Sequence, residues 1–108
     1  MEIYDWATSG HFSAVVSMLN RALGQFARWH GTVYIGVTGS PSSREAAHER
    51  SGWGEMIYLY CTSSRKYAYE MEKHLIDYCR SRGYSANAIR GGSGLGWYDM
   101  YYIYMLVQ

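Results

Sequence analysis

The sequence has one proline, two cysteines and no block of like charge. So little proline and so little charge patterning argue against a disordered chain. Cys61 and Cys79 are too few for a disulfide framework, and no Cys/His spacing fits a zinc site. No apolar run approaches the ~20 residues of a membrane span. Met1-Glu2-Ile3-Tyr4-Asp5 lacks the basic start of a signal peptide, so no membrane association is expected and a cytoplasmic setting is the default. Leucine, isoleucine and valine are also scarce. Twelve tyrosines and four tryptophans must therefore supply much of the buried area. A chain of 108 residues holds one domain with a modest core.

What is present centres on Val33-Tyr34-Ile35-Gly36-Val37-Thr38. Its β-branched and aromatic residues read as a strand, and Gly36 inside it marks a bulge or a place where something approaches the backbone closely. Gly39-Ser40-Pro41 is turn chemistry. A helix then starts with Ser42 as N-cap and Glu45 completing a capping box. Arg44 and His48, four residues apart, share one face of it.

Upstream, Phe12, Val15, Val16, Leu19, Leu23 and Phe26 recur at helical spacing, and Gly31 stops that helix. His11 and His30 flank it as cap or surface residues. Residues 1–31 thus form an N-terminal helical segment and residues 32–108 the core. Residues 55–61 read as a second strand covered on both faces. Thr62, Ser63 and Ser64 offer N-caps for the longest helix, which runs to Arg82 before Gly83. Its apolar stripe is Ala68, Met71, Leu75, Ile76 and Cys79, with Glu72 in the middle. A carboxylate on a core-facing surface is costly unless paired or metal-bound, so Glu72 reads as a ligand aimed between helix and sheet. Glu70 and His74 lie off the stripe as surface residues. Residues 101–107 close the chain as a strand.

The ordered set Tyr34-Ile35-Gly36, Arg44, His48, Glu72 and Asn87, followed by Gly91-Gly92-Ser93-Gly94, resembles the GIY-YIG nucleases over residues 32–94. The resemblance implies an α+β fold: a small antiparallel sheet of about three strands flanked by helices. The family's GIY strand, normally just before YIG, is missing there. Two stretches can supply it: Ile3-Tyr4, with a helix inserted in the hairpin, or Tyr102-Ile103-Tyr104. The second is closer to the family pattern and implies a circular permutation, with Tyr104 as the GIY tyrosine.

The implied activity is a divalent-metal-dependent endonuclease. Tyr34 would be the general base, with its phenol lowered from ~10 by metal, Arg44 or His48. Glu72 would hold Mg²⁺ or Mn²⁺. Arg44 would clamp a phosphate oxygen. His48 and Tyr104 would orient or share the proton, and Asn87 would position a ligand or the glutamate. Gly36, Lys73 and Arg90 are assigned to substrate. The partner is DNA, with RNA as the alternative. Net charge is only +1, but Arg44, Arg50, Arg65, Lys66, Lys73, Arg80, Arg82 and Arg90 gather in the central segment. No base-reading module is present, so specificity falls to a homodimer, a separate partner or DNA shape. The rival reading is a nucleic-acid-binding module of the same fold without activity; a tyrosine-rich interaction domain rests on composition alone.

Overall fold

The computed structural model describes residues 1–28, 32–84 and 96–108. Seven elements follow one another: β1 (Glu2–Thr8), α1 (Phe12–Ala27), β2 (Val33–Thr38), α2 (Pro41–Arg50), β3 (Glu55–Thr62), α3 (Arg65–Ser81) and β4 (Tyr101–Val107). They form an α+β domain with a four-stranded mixed sheet in the order β1-β3-β4-β2. β4 lies antiparallel to both β2 and β3, while β1 adds to β3 in parallel.

Two expectations are corrected. The sheet has four strands and is mixed, not three antiparallel ones, and the N-terminal segment opens with a strand. That strand lies at the far edge from β2, so Ile3 and Tyr4 cannot supply a hairpin partner to Tyr34. The partner of β2 is β4, with Tyr34 opposite Leu106 and Gly36 opposite Tyr104.

α1 and α3 cover one face. Leu19, Leu23, Leu75 and Ile76 pack there on Ile35, Ile57, Ile103 and Met105. Val15, Leu19 and Leu23 are buried at the spacing that sequence periodicity demands. The His11 ring caps α1 by accepting from the Ser13 amide at 3.2 Å. Ser64 caps α3 by accepting from the Tyr67 amide at 3.1 Å. Gly83 ends α3 with φ at 76°, a conformation only glycine takes freely, and the Tyr84 amide returns to the Cys79 carbonyl at 2.9 Å. His74 is not a free surface residue: its Nε2 meets Asn20 Oδ1 at 2.8 Å and ties α3 to α1.

α2 covers the opposite face, where Met56, Tyr58, Tyr104 and Leu106 form a smaller cluster with Tyr34, Trp53 and Tyr102 against it. Its N-cap is Ser40, with Pro41 in the first turn and no side-chain cap bond. Glu45 does not close a capping box, because it accepts a hydrogen bond from the Tyr58 hydroxyl. Among the described residues, no helix is long and apolar enough to cross a membrane.

Candidate active site

β2 brings Tyr34 to the α2 face. β4, alongside it, brings Tyr104, and α2 lays His48 across both. His48 Nε2 lies 2.9 Å from the Tyr104 hydroxyl. The ring centres of His48 and Tyr104 are 5.4 Å apart, and those of Tyr34 and His48 are 6.1 Å apart. Tyr34 also sits 6.5 Å from Tyr104 and 6.3 Å from Trp53. Three polar rings thus meet where β2, β4 and α2 join.

Gly36 explains how they fit. A Cβ built there would fall 2.5 Å from the Tyr104 ring and hydroxyl, far inside contact distance. Of the two readings of Gly36, a bulge or a close approach, the second holds, and the approaching group is this ring. Tyr104, only 2% exposed, lies across Gly36 and carries its hydroxyl toward the β2 edge.

Arg44 is solvent-exposed one helical turn before His48. Its charge lowers the pKa values of both Tyr34 and Tyr104, and opposes protonation of His48. Glu72 comes from the other side. It is 1% exposed on the sheet-facing side of α3, and its negative charge pushes both phenols up. The site is therefore not confined between one helix and the sheet. α3 packs beneath β2 and the phenols stand above it, so carboxylate and phenols flank the same outermost strand.

Without a metal, the influences on Tyr34 run upward on balance. Burial is the largest influence and raises its pKa, Glu72 raises it further, and Arg44 only partly offsets them. Tyr104 is raised too, first by burial and then by Tyr34. His48 is lowered by burial first and by Arg44 second, which favours the neutral ring. In the protein alone these phenols hold their protons.

Lys73 is exposed on α3, and no described contact joins it to the phenols. Asn87, Arg90 and the glycine cluster at residues 91–94 lie outside the described residues. Sequence reasoning read Glu45 as a capping-box residue and missed Tyr58; the hydrogen bond between them helps dock α2 on the sheet. It also missed Trp53, which packs on Tyr34. A glutamate and a histidine three residues apart on one short helix were the available signal.

One buried carboxylate fits Mg²⁺, which keeps several waters and takes the rest of its ligands from substrate phosphates. It does not fit a cage made wholly of protein, and no group of three or more His, Cys, Asp or Glu side chains that could hold a metal occurs among the described residues. No known family, curated protein or solved structure matches the chain.

Proposed function

We propose that the protein is a metal-dependent endonuclease that hydrolyses DNA phosphodiesters, as its resemblance to the GIY-YIG nucleases implies. One observation carries this reading: Tyr34, Tyr104 and His48 cluster within ring contact, while Arg44 and Glu72 act on both phenols with opposite sign. A general base, a cation for the phosphoryl oxygens and a buried carboxylate are the parts that phosphodiester hydrolysis needs.

In the reaction, the Tyr34 phenol proton passes to solvent, and the phenolate Oη then takes a proton from a water whose oxygen forms the new bond to phosphorus. The ester bond to the leaving oxygen breaks, and that oxygen takes up a proton from solvent. Arg44 binds a non-bridging phosphate oxygen, where a guanidinium fork matches the geometry. His48 holds the Tyr104 hydroxyl, and the pair orients the base. Glu72 is the residue that would hold Mg²⁺, which when bound supplies positive charge to the phosphoryl group and the leaving alkoxide. Cation binding at Glu72 would also cancel the charge that now raises Tyr34.

A second reading, a nucleic-acid-binding domain of the same fold without cleavage, is favoured by one observation: the Tyr34 phenol is raised above its ordinary value. Plasmid nicking with Mg²⁺ against EDTA separates the two. Cleavage by wild type that is lost in Glu72→Ala and Tyr34→Phe supports the enzyme. DNA binding without cleavage in any metal supports the second reading, and the absence of both ends both.

A further inference from the structure

α1 and α3 pack tightly through their apolar stripes, but toward their C-terminal ends the junction opens into a cavity of about 530 Å³. Ser17, Asn20, Arg21, Gly24, Gln25 and Arg28 line it from α1. Those positions follow helical spacing, so they form one polar face of α1. Tyr78, Arg82 and Tyr84 complete the wall.

Three guanidinium-bearing residues share this space, and no carboxylate is among the described residues that line it. Asp77, exposed and next to Tyr78 in the chain, acts on His74. All three are exposed, so solvent tolerates the set, and the shared positive charge is complementary to an anion. Capping accounts for part of it: Arg28 Nε donates to the Gly24 carbonyl at 3.2 Å, at the end of α1. Arg82 follows α3 and stacks over Tyr78, with its guanidinium carbon 5.1 Å from the ring centre. Arg21 lies two turns before the α1 terminus, and a helix-end role does not explain it. Guanidinium groups beside tyrosine rings are the chemistry that grips a phosphate backbone and stacks bases.

Position adds to chemistry. β2 and β3 run the same way, and α3 returns after β3, so both C-terminal helix ends lie where β2 begins. Tyr34 is the second residue of β2, and β2 is an open edge of the sheet. The groove and the Tyr34 ring thus lie toward the same end of the sheet, on opposite faces.

We propose that the groove binds the sugar–phosphate backbone of one DNA strand away from the reacting phosphate, which rests on the nuclease reading given above. A groove of about 530 Å³ holds a short stretch of one strand's backbone.

The test uses the full chain and Arg21→Ala/Arg82→Ala, whose altered residues are both exposed. Fluorescence anisotropy with a labelled single-stranded DNA 15-mer is read across a salt series. Losing two phosphate contacts should weaken binding about tenfold or more and flatten the slope of log affinity against log salt by about 1.4. Arg21→Lys/Arg82→Lys should recover most of the slope. Hydrolysis of a small chromogenic phosphodiester, too short to reach the groove, should be unchanged. Unchanged affinity and slope overturn the groove, as does equal loss on the small ester, which would place these arginines at the reacting centre. If wild type never hydrolyses the ester or DNA, the nuclease reading fails, and the anisotropy still decides the groove.

Discussion

On one face of the sheet, α1 and α3 press Leu19, Leu23, Leu75 and Ile76 into an apolar layer with essentially no exposure. On the other, α2 contributes no buried residue and is held to strand tyrosines through Glu45 and His48. The first attachment draws on burial, worth about 25 cal/mol per Å² of apolar surface. The second draws on a few polar contacts, each worth about 0.5–1.5 kcal/mol net, or somewhat more to a charged group. The proposed chemistry therefore sits on the weakly held face, while the well-packed face supplies rigidity and one carboxylate. Elements that must admit substrate belong at the low-stability end of a fold.

The largest expected effect sharpens this contrast. Leu75→Ala, at a site with 0% exposure, should cost about 2–5 kcal/mol in denaturant unfolding. His48→Ala should cost about 1 kcal/mol, since it removes one part-buried hydrogen bond. Nuclease activity should reverse the order: Tyr34→Phe should lose ~10²–10⁴-fold with little change in stability. Equal unfolding costs for Leu75→Ala and His48→Ala would mean that α2 is core and the contrast is false.

The well-packed face was also the legible one. The stripes of α1 and α3 repeat at helical spacing, and Glu72 stood out because it breaks such a stripe. Tyr34, Arg44 and His48 were found through motif order, and their proximity follows from a strand leading into a helix. Three features were not legible. β1 pairs with a strand more than fifty positions away, and its exposed, mixed pattern gives little strand signal. Tyr58 and Tyr60 should share a face by alternation, yet a register shift between them sends Tyr58 to the α2 face and Tyr60 to the apolar core. Glu45 had two partners open to it, a local backbone amide and a distant phenol, and only tertiary contact decides between them.

Gly36→Ala probes the seam between β2 and the Tyr104 ring. The new methyl would meet the ring at 2.5 Å, so ring or strand must shift, at about 1–3 kcal/mol. Tyr104→Val removes the ring and should absorb most of that cost, leaving the double variant more stable than the sum of single effects predicts. Thermal melts of the four proteins give the coupling directly. Additive effects would mean that Gly36 serves the backbone and not the ring.

The smallest effect separates the faces by pH. Burial lowers the pKa of His48 on the α2 face, with Arg44 adding to it; burial also lowers His74 between α1 and α3, with Asp77 opposing. The unfolded chain therefore binds protons first as pH falls. Stability contributed by neutral His48 and His74 is complete above about 6.5 and is lost as pH drops through each folded pKa. His48 faces the Tyr104 hydroxyl and the Tyr34 ring, with Arg44 and Arg50 on its own helix, so its protonation adds a third cation to α2. That should loosen α2 locally, speeding amide exchange at Ala46 and Ala47 before global unfolding. His74 donates from Nε2 to Asn20 and stacks near Tyr78; protonation keeps that bond but places a charge in the part-buried seam of the main helix pair, which should lower the melting temperature. His48→Gln should abolish the acid-induced exchange and leave the melting profile nearly unchanged; His74→Gln should do the reverse. If either substitution moved both readouts together, the two faces would unfold as one unit.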